Sequence, residues 1–224
     1  MLQMLGSTPL PSRIARLLGW MITMALPLAA EGESFAQQEY QAVLRSTPDA
    51  VHGEQLFETC AACHGTNGAG EREGTIPAIA AQPFRIVARQ LVNFRHNKRW
   101  DEHMQHFTND HHLAGAQDIA DVAAYIGGLS STHPSGQGSG EHLERAANLY
   151  AHLCAACHGA SAEGNDGNGS PRLAGQHYVY LLSQLDDAKA GRRPDFPPEH
   201  VRLDESIERA DLLGVADYLS RLGH

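Results

Sequence analysis

Cys60-Ala61-Ala62-Cys63-His64 recurs as Cys154-Ala155-Ala156-Cys157-His158, 94 positions further along the chain. Two thiols one helical turn apart, with an imidazole directly after the second, can hold iron porphyrin covalently. The thiols of Cys60 and Cys63, and of Cys154 and Cys157, can add to the two vinyl groups on a porphyrin edge. His64 and His158 then sit under the iron as proximal ligands. Other uses of four cysteines fit less well. A thioredoxin-like pair needs a preceding strand in an αβ unit, and no alternating strand pattern of useful length is present. A zinc site would draw on pairs separated by about 90 residues, far beyond usual ligand spacing. Disulfides suit an exported chain, yet they give no reason for a histidine at the same place in both copies. The cofactors expected are two covalently bound haem c groups.

The elements that must position these groups also come in two copies. The same shift carries Pro77 onto Pro171, Gln82 onto Gln176, Gln90-Leu91 onto Gln184-Leu185 and Arg99 onto Arg193, while Tyr125 matches Tyr218 at a shift of 93. A repeat this long is the duplication of a whole domain. Ser130-Ser131-Thr132-His133-Pro134-Ser135-Gly136-Gln137-Gly138-Ser139-Gly140 separates the copies as a breaker-rich linker. The organisation expected is an export signal over 1–36, a first domain over 37–129, a linker over 130–140 and a second domain over 141–224.

Each copy reads as helical. Short helices are expected before each cysteine pair, near Val51 to Thr59 and near His142 to Leu153. Val87, Leu91 and Phe94, and then Leu181, Leu182 and Leu185, fall at helical spacing. A closing amphipathic helix carries Ile119, Val122, Ala123 and Ile126 in the first copy and Leu212, Val215, Ala216 and Leu219 in the second. These stripes are core faces. Modules of this size with many glycines build modest cores of their own, and a large apolar cofactor would supply interior.

Arg13 and Arg16 precede an apolar run from Leu17 to Ala30, and Ser34-Phe35-Ala36 offers small residues for a signal peptidase. The run is shorter than the roughly 20 residues that span a bilayer. It reads as a cleaved export signal, with an uncleaved anchor as the rival, and places the mature protein in the periplasm starting near Gln37. The formal net charge of -9 argues against nucleic acid. An acidic surface suits docking on a basic patch of another protein.

Cys-Ala-Ala-Cys-His-Gly, a Gly-rich loop, an Ile-Pro or Ser-Pro step, a Gln-Leu helix and a final Ala-Tyr helix together resemble class I cytochrome c. Two copies in one exported chain resemble the two-domain cytochromes of the c-four subclass and their single-domain relatives, over residues 50 to 222. Leu173-Ala174-Gly175-Gln176-His177 is close to the family pattern, and Ile79-Ala80-Ala81-Gln82 is looser. The resemblance implies an all-α fold of two tandem class I cytochrome c domains joined by the Gly/Ser/Pro linker, with the first and last helices of each crossing. It implies that the carbonyls of Pro77 and Pro171 accept the second ring N–H of His64 and His158. It also implies arginines near the haem propionates, with Arg95, Arg99, Arg192 and Arg193 as candidates against a reading as solvated charge.

The family's distal ligand is usually a methionine shortly before the final helix. Met104 lies in such a place, whereas Met1, Met4, Met21 and Met24 belong to the signal. Its rivals are His103, His106, His111 and His112. The second copy has no methionine. One register puts Val201 in the methionine's place with His200 beside it, and counting back from Tyr218 puts His200 there. His200 is the distal donor expected, ahead of Lys189 or an open site. A second imidazole in place of a thioether favours oxidised iron and implies a lower potential for the second haem.

The function expected is electron transfer between redox partners. The donor would be a dehydrogenase or a bc-type complex and the acceptor a terminal oxidase or reductase, with any association with the membrane made through a partner. The alternative is a haem enzyme, thiosulfate-dehydrogenase-like or peroxidase-like, working at an open second haem. Against it, all four cysteines are consumed by attachment, leaving none as a distal thiolate.

Overall fold

The computed structural model describes residues 34–131, 135–198, 200, 202 and 207–223. The apolar run of the expected signal, its four methionines, Thr132 to Pro134 of the linker, and Glu199 and Val201 lie outside the described residues.

Helix α1 (Phe35–Arg45) starts from Ser34, whose hydroxyl accepts from the Gln37 N–H. It buries Ala36 and Val43 on the first module. Helix α2 (Ala50–His64) is capped by Asp49, which accepts from the Val51 and His52 N–H groups. It runs through both cysteines and ends at Gly65, whose φ of 75° only a residue without Cβ adopts freely. Helices α3 (Phe84–Arg95), α4 (Glu102–Phe107) and α5 (Ala116–Gly128) complete the module. Helices α2 and α5 pack directly, with Phe57 and Tyr125 ring centroids 5.2 Å apart. They touch at Gly53, where an added Cβ would lie 2.1 Å from the Asp121 carbonyl oxygen.

The second module repeats this plan with α6 (Leu143–Leu153), α7 (Ala155–His158), α8 (Tyr178–Lys189) and α9 (Arg209–Ser220). Helix α6 packs on α9, and Tyr150 meets Tyr218 at 5.9 Å. Here the backbone breaks at Cys154 (φ −116°, ψ −36°), so the pentapeptide that continues α2 in the first module forms a separate turn in the second. Among the described residues the only β feature is an isolated bridge between Asn165 and Ser170. The fold is all-α, two tandem helical modules built on one plan. No described helix is long and apolar enough to cross a membrane.

The expected stripes form the cores unequally. Val87, Leu91, Phe94, Ile119, Val122, Ala123 and Ile126 are all buried. In the second module Leu212, Ala216 and Leu219 are buried, but Leu181, Leu182, Leu185 and Val215 are only half-buried. Its self-made core is small, centred on Tyr150, Ala162, Ala174 and Leu219.

Candidate functional site

Each pentapeptide is followed by a loop that returns to it, and the two loops match bond for bond. Gly70 N–H donates to the His64 carbonyl and Gly164 N–H to the His158 carbonyl, both at 2.8 Å. Ile79 and Ala80 both donate to the Gly68 carbonyl, and Leu173 and Ala174 both donate to that of Ala162. Ala81 N–H then reaches Ile126 O on α5, and Gly175 N–H reaches Leu219 O on α9. The loops tie the cysteine turns to the closing helices, as the sequence repeat requires.

These loops bring a proline carbonyl onto each histidine. His64 Nδ1 lies 2.9 Å from Pro77 O, and His158 Nδ1 lies 2.9 Å from Pro171 O. A carbonyl only accepts, so each Nδ1 carries the proton and each Nε2 keeps a lone pair. Both imidazoles are buried. Burial pushes each pKa below the ordinary histidine value, against the smaller raising effect of the proline carbonyl. Near pH 7 both rings are therefore neutral, the form that binds metal. Close approach of the loop depends on glycine: a Cβ on Gly70, at φ 68°, would stand 2.5 Å from Pro77 O.

None of the four cysteines is paired in a disulfide; Cys60 and Cys154 are half-buried and Cys63 and Cys157 exposed. Burial raises the Cys60 thiol to about 11 and raises Cys154 as well. Within each pair the two cysteines stand three residues apart, one helical turn.

Met104 sits half-buried on α4, packed against the first-module core. Asp101 caps α4 by accepting from the Met104 N–H at 2.9 Å, and its charge favours the protonated form of His64. The rival histidines do not share this position. His103, His106 and His111 are exposed, and His106 Nε2 is 3.3 Å from His112 Nε2.

In the second module His200 Nε2 stands 3.4 Å from His158 Nε2, with the rings perpendicular and their centroids 5.7 Å apart. Lys189 is exposed in the last turn of α8.

The four arginine candidates separate into two pairs. Arg95 is buried but engaged by Glu39 and by the carbonyls of Thr108 and Leu113, at 2.7 and 2.6 Å, so it braces α1 and the segment between α4 and α5. Arg192 forms a surface bridge to Asp187. Arg99 and Arg193 instead meet between the modules. Arg99 donates to Gln90, Tyr180 and Gln184, and Arg193 donates to Gln184 and Asp195. Arg193 bridges the Asp195 carboxylate and shares the Gln184 carbonyl with Arg99, so two guanidinium groups meet one carboxylate, and that positive excess suits the acidic edge of a porphyrin.

The residues present fit a haem in each module. Paired thiols, a buried neutral imidazole with its second nitrogen held by a carbonyl, and half-buried apolar side chains occur together in each.

The contacts between modules were not read from the sequence. Gln176 accepts from the Ala78 N–H at 3.0 Å and donates to the Ala78 carbonyl at 2.8 Å; Gln82 makes the same pair of bonds with the backbone of Arg172. His177, fully buried, accepts from the Gly136 N–H at 3.0 Å and places Nε2 2.8 Å from Ala69 O. The matching glutamines were visible as repeat positions, but nothing in spacing alone says that they face across an interface.

The chain matches the family described as Cytochrome c over residues 50–130 and 143–222. It is 27% identical to cytochrome c4 of Pseudomonas aeruginosa, over 78% of this chain and 89% of that protein. It is 30% identical to cytochrome c4 of Stutzerimonas stutzeri, over 65% of this chain and 74% of that one. The crystal structure of reduced recombinant cytochrome c4 from Pseudomonas stutzeri superposes with a TM-score of 0.67 at 24% identity, covering 79% of this chain and all of that one.

Proposed function

The chain belongs to the cytochrome c family, and on that premise we propose that it shuttles single electrons between larger redox proteins in the periplasm, without a substrate reaction of its own. It is a dihaem electron-transfer protein. When bound, haem supplies a one-electron iron couple at each site. The protein's part is to hold, orient and shield. Cys60 with Cys63, and Cys154 with Cys157, would fix the porphyrin edges; His64 and His158 would be the proximal ligands. The Pro77 and Pro171 carbonyls fix the ring planes and make each imidazole a stronger donor. Met104, half-buried on α4 against the first-module core, would supply the thioether ligand of the first iron.

The observation that carries this reading is the buried His64–Pro77 pair and its copy, His158–Pro171, each one residue after a cysteine pair on a turn. A shuttle needs both irons closed to small ligands, and all four thiols serve attachment. The partners proposed are a dehydrogenase or a bc-type complex as donor and a terminal oxidase or reductase as acceptor. The chain's negative charge favours a docking patch rich in lysine and arginine.

The test is made on protein exported with its haem. Its mass should exceed that of the polypeptide by two haems. The reduced form should pass one electron per haem to an oxidant protein and show no steady turnover of thiosulfate or peroxide. Turnover of either at enzyme rates removes the carrier reading.

A further inference from the structure

We propose that His200 is the distal iron ligand of the second module, making that site bis-imidazole and lower in potential than the first. This rests on the dihaem reading and goes beyond it.

The geometry starts from His158. Its Nδ1 donates to Pro171 O at 2.9 Å, so Nε2 carries a lone pair. The group facing that lone pair is His200 Nε2, at 3.4 Å. Two imidazoles that share a metal on opposite sides, each at about 2.0–2.1 Å as in zinc–imidazole bonds, stand about 4 Å apart. A shift of about 0.6–0.8 Å in one side chain separates the two distances. The rings are at 90°. Their centroids are 5.7 Å apart while the nitrogens are 3.4 Å apart, so both nitrogens lie between the rings and point at each other.

His200 is also held in place. Phe196 packs edge-on against its ring at 5.0 Å, and the Arg193 guanidinium lies over Phe196 at 5.0 Å. Asp195, between them in sequence, binds Arg193 at 3.3 Å and accepts from Asn93 of the first module at 3.0 Å. His200 is thus held at its ring by Phe196 and at its backbone N–H by the Pro197 carbonyl, 3.0 Å away. Among the described residues of the module no other ligating side chain takes that place: Lys189 is exposed, and beyond residue 24 the sequence has methionine only at Met104, in the first module.

The two irons then differ in one ligand. Thioether at the first favours the reduced form, and a second imidazole at the other favours the oxidised form. An electron accepted at the second haem runs downhill to the first, leaving one iron oxidised for each iron reduced.

The experiment begins with a haem count on the purified holoprotein, which tests the dihaem reading independently of any ligand. The same sample should show two separated midpoints in a redox titration, a far-red thioether–iron absorption worth one haem, and no carbon monoxide binding. His200→Ala should let carbon monoxide bind one of the two reduced haems. His200→Met, which keeps a ligand and the fold, should double the thioether absorption and move the lower midpoint towards the upper. Carbon monoxide binding to the wild-type second haem overturns the assignment, as do ligand spectra and midpoints left unmoved by His200→Met.

Discussion

Gln82 and Gln176 hold one another's module by the same two bonds. Each side-chain amide brackets the backbone of the residue after the other module's proline, Gln82 on Arg172 and Gln176 on Ala78. The duplication thus generates an interface with approximate twofold character. It attaches directly to the loops whose carbonyls fix the iron-facing histidines.

Gln176 is buried, whereas the bonds of Gln82 are only partly so. Gln176→Leu should cost about 1–3 kcal/mol, the penalty of leaving backbone groups desolvated and unmatched. Gln82→Leu should cost less, because water can replace its bonds. Urea unfolding of the two holoprotein variants measures the order; equal losses would show that burial does not distinguish the two sites.

Gly70→Ala should strain the first site and spare the second. The new Cβ would meet Pro77 O at 2.5 Å, and the residue would be held at φ 68°. Stability should fall by about 1–3 kcal/mol. As Pro77 O moves from His64, the imidazole loses basicity, and the first midpoint should rise while the second stays. A redox titration of the variant decides it.

The parts legible in the sequence were those that the chemistry constrains residue by residue. Thioether attachment needs both cysteines and the next histidine, so the pentapeptides could be found without a structure. Core stripes such as Ile119, Val122, Ala123 and Ile126 followed from helical period alone. Helix α1 was missed because Ala36 and Val43 offer little apolar signal beside an export run, and their burial depends on α3 and α5. The arginines could not be sorted for a related reason. Arg95 and Arg99 lie four residues apart on the same stretch, yet one braces its own module and the other the interface. Only tertiary placement separates them.

The interface should loosen in mild acid through His177. Burial pushes its pKa below the ordinary histidine value, with the Ala69 carbonyl acting the other way, Arg72 lowering it further and Glu73 raising it. The unfolded ring therefore takes up a proton before the folded one does. Stability is whole above about pH 6.5 and falls as pH drops through that value towards the folded pKa, by at most about 1.4 kcal/mol per unit. Protonation also removes the lone pair that accepts from Gly136. His52, raised chiefly by its bond to Asp121, titrates with the opposite sign. Urea midpoints of wild type and His177→Gln between pH 5 and 8, taken as a difference, isolate the His177 contribution. A difference that does not change with pH excludes it.

Asp195 joins the interface to the second iron site, so one substitution there should act at both. Its carboxylate is buried, yet burial, which alone would raise its pKa, is outweighed by Arg193, Asn93 and Arg99, and the pKa stays low. Burial and the neighbouring Arg99 act together to depress Arg193. Asp195→Asn leaves Arg193 without its counter-ion while the Arg99 charge still acts on it. Breaking a buried pair this way costs about 3–5 kcal/mol, and a propionate at the same edge would offset part of that. The same change frees Arg193 from the position in which it covers Phe196, and Phe196 is what packs on His200. Asp195→Asn should therefore weaken the docking of the modules and also admit carbon monoxide slowly to the reduced second haem, with the first haem still closed. Lost stability with the second haem still closed would mean that His200 is held without help from the interface.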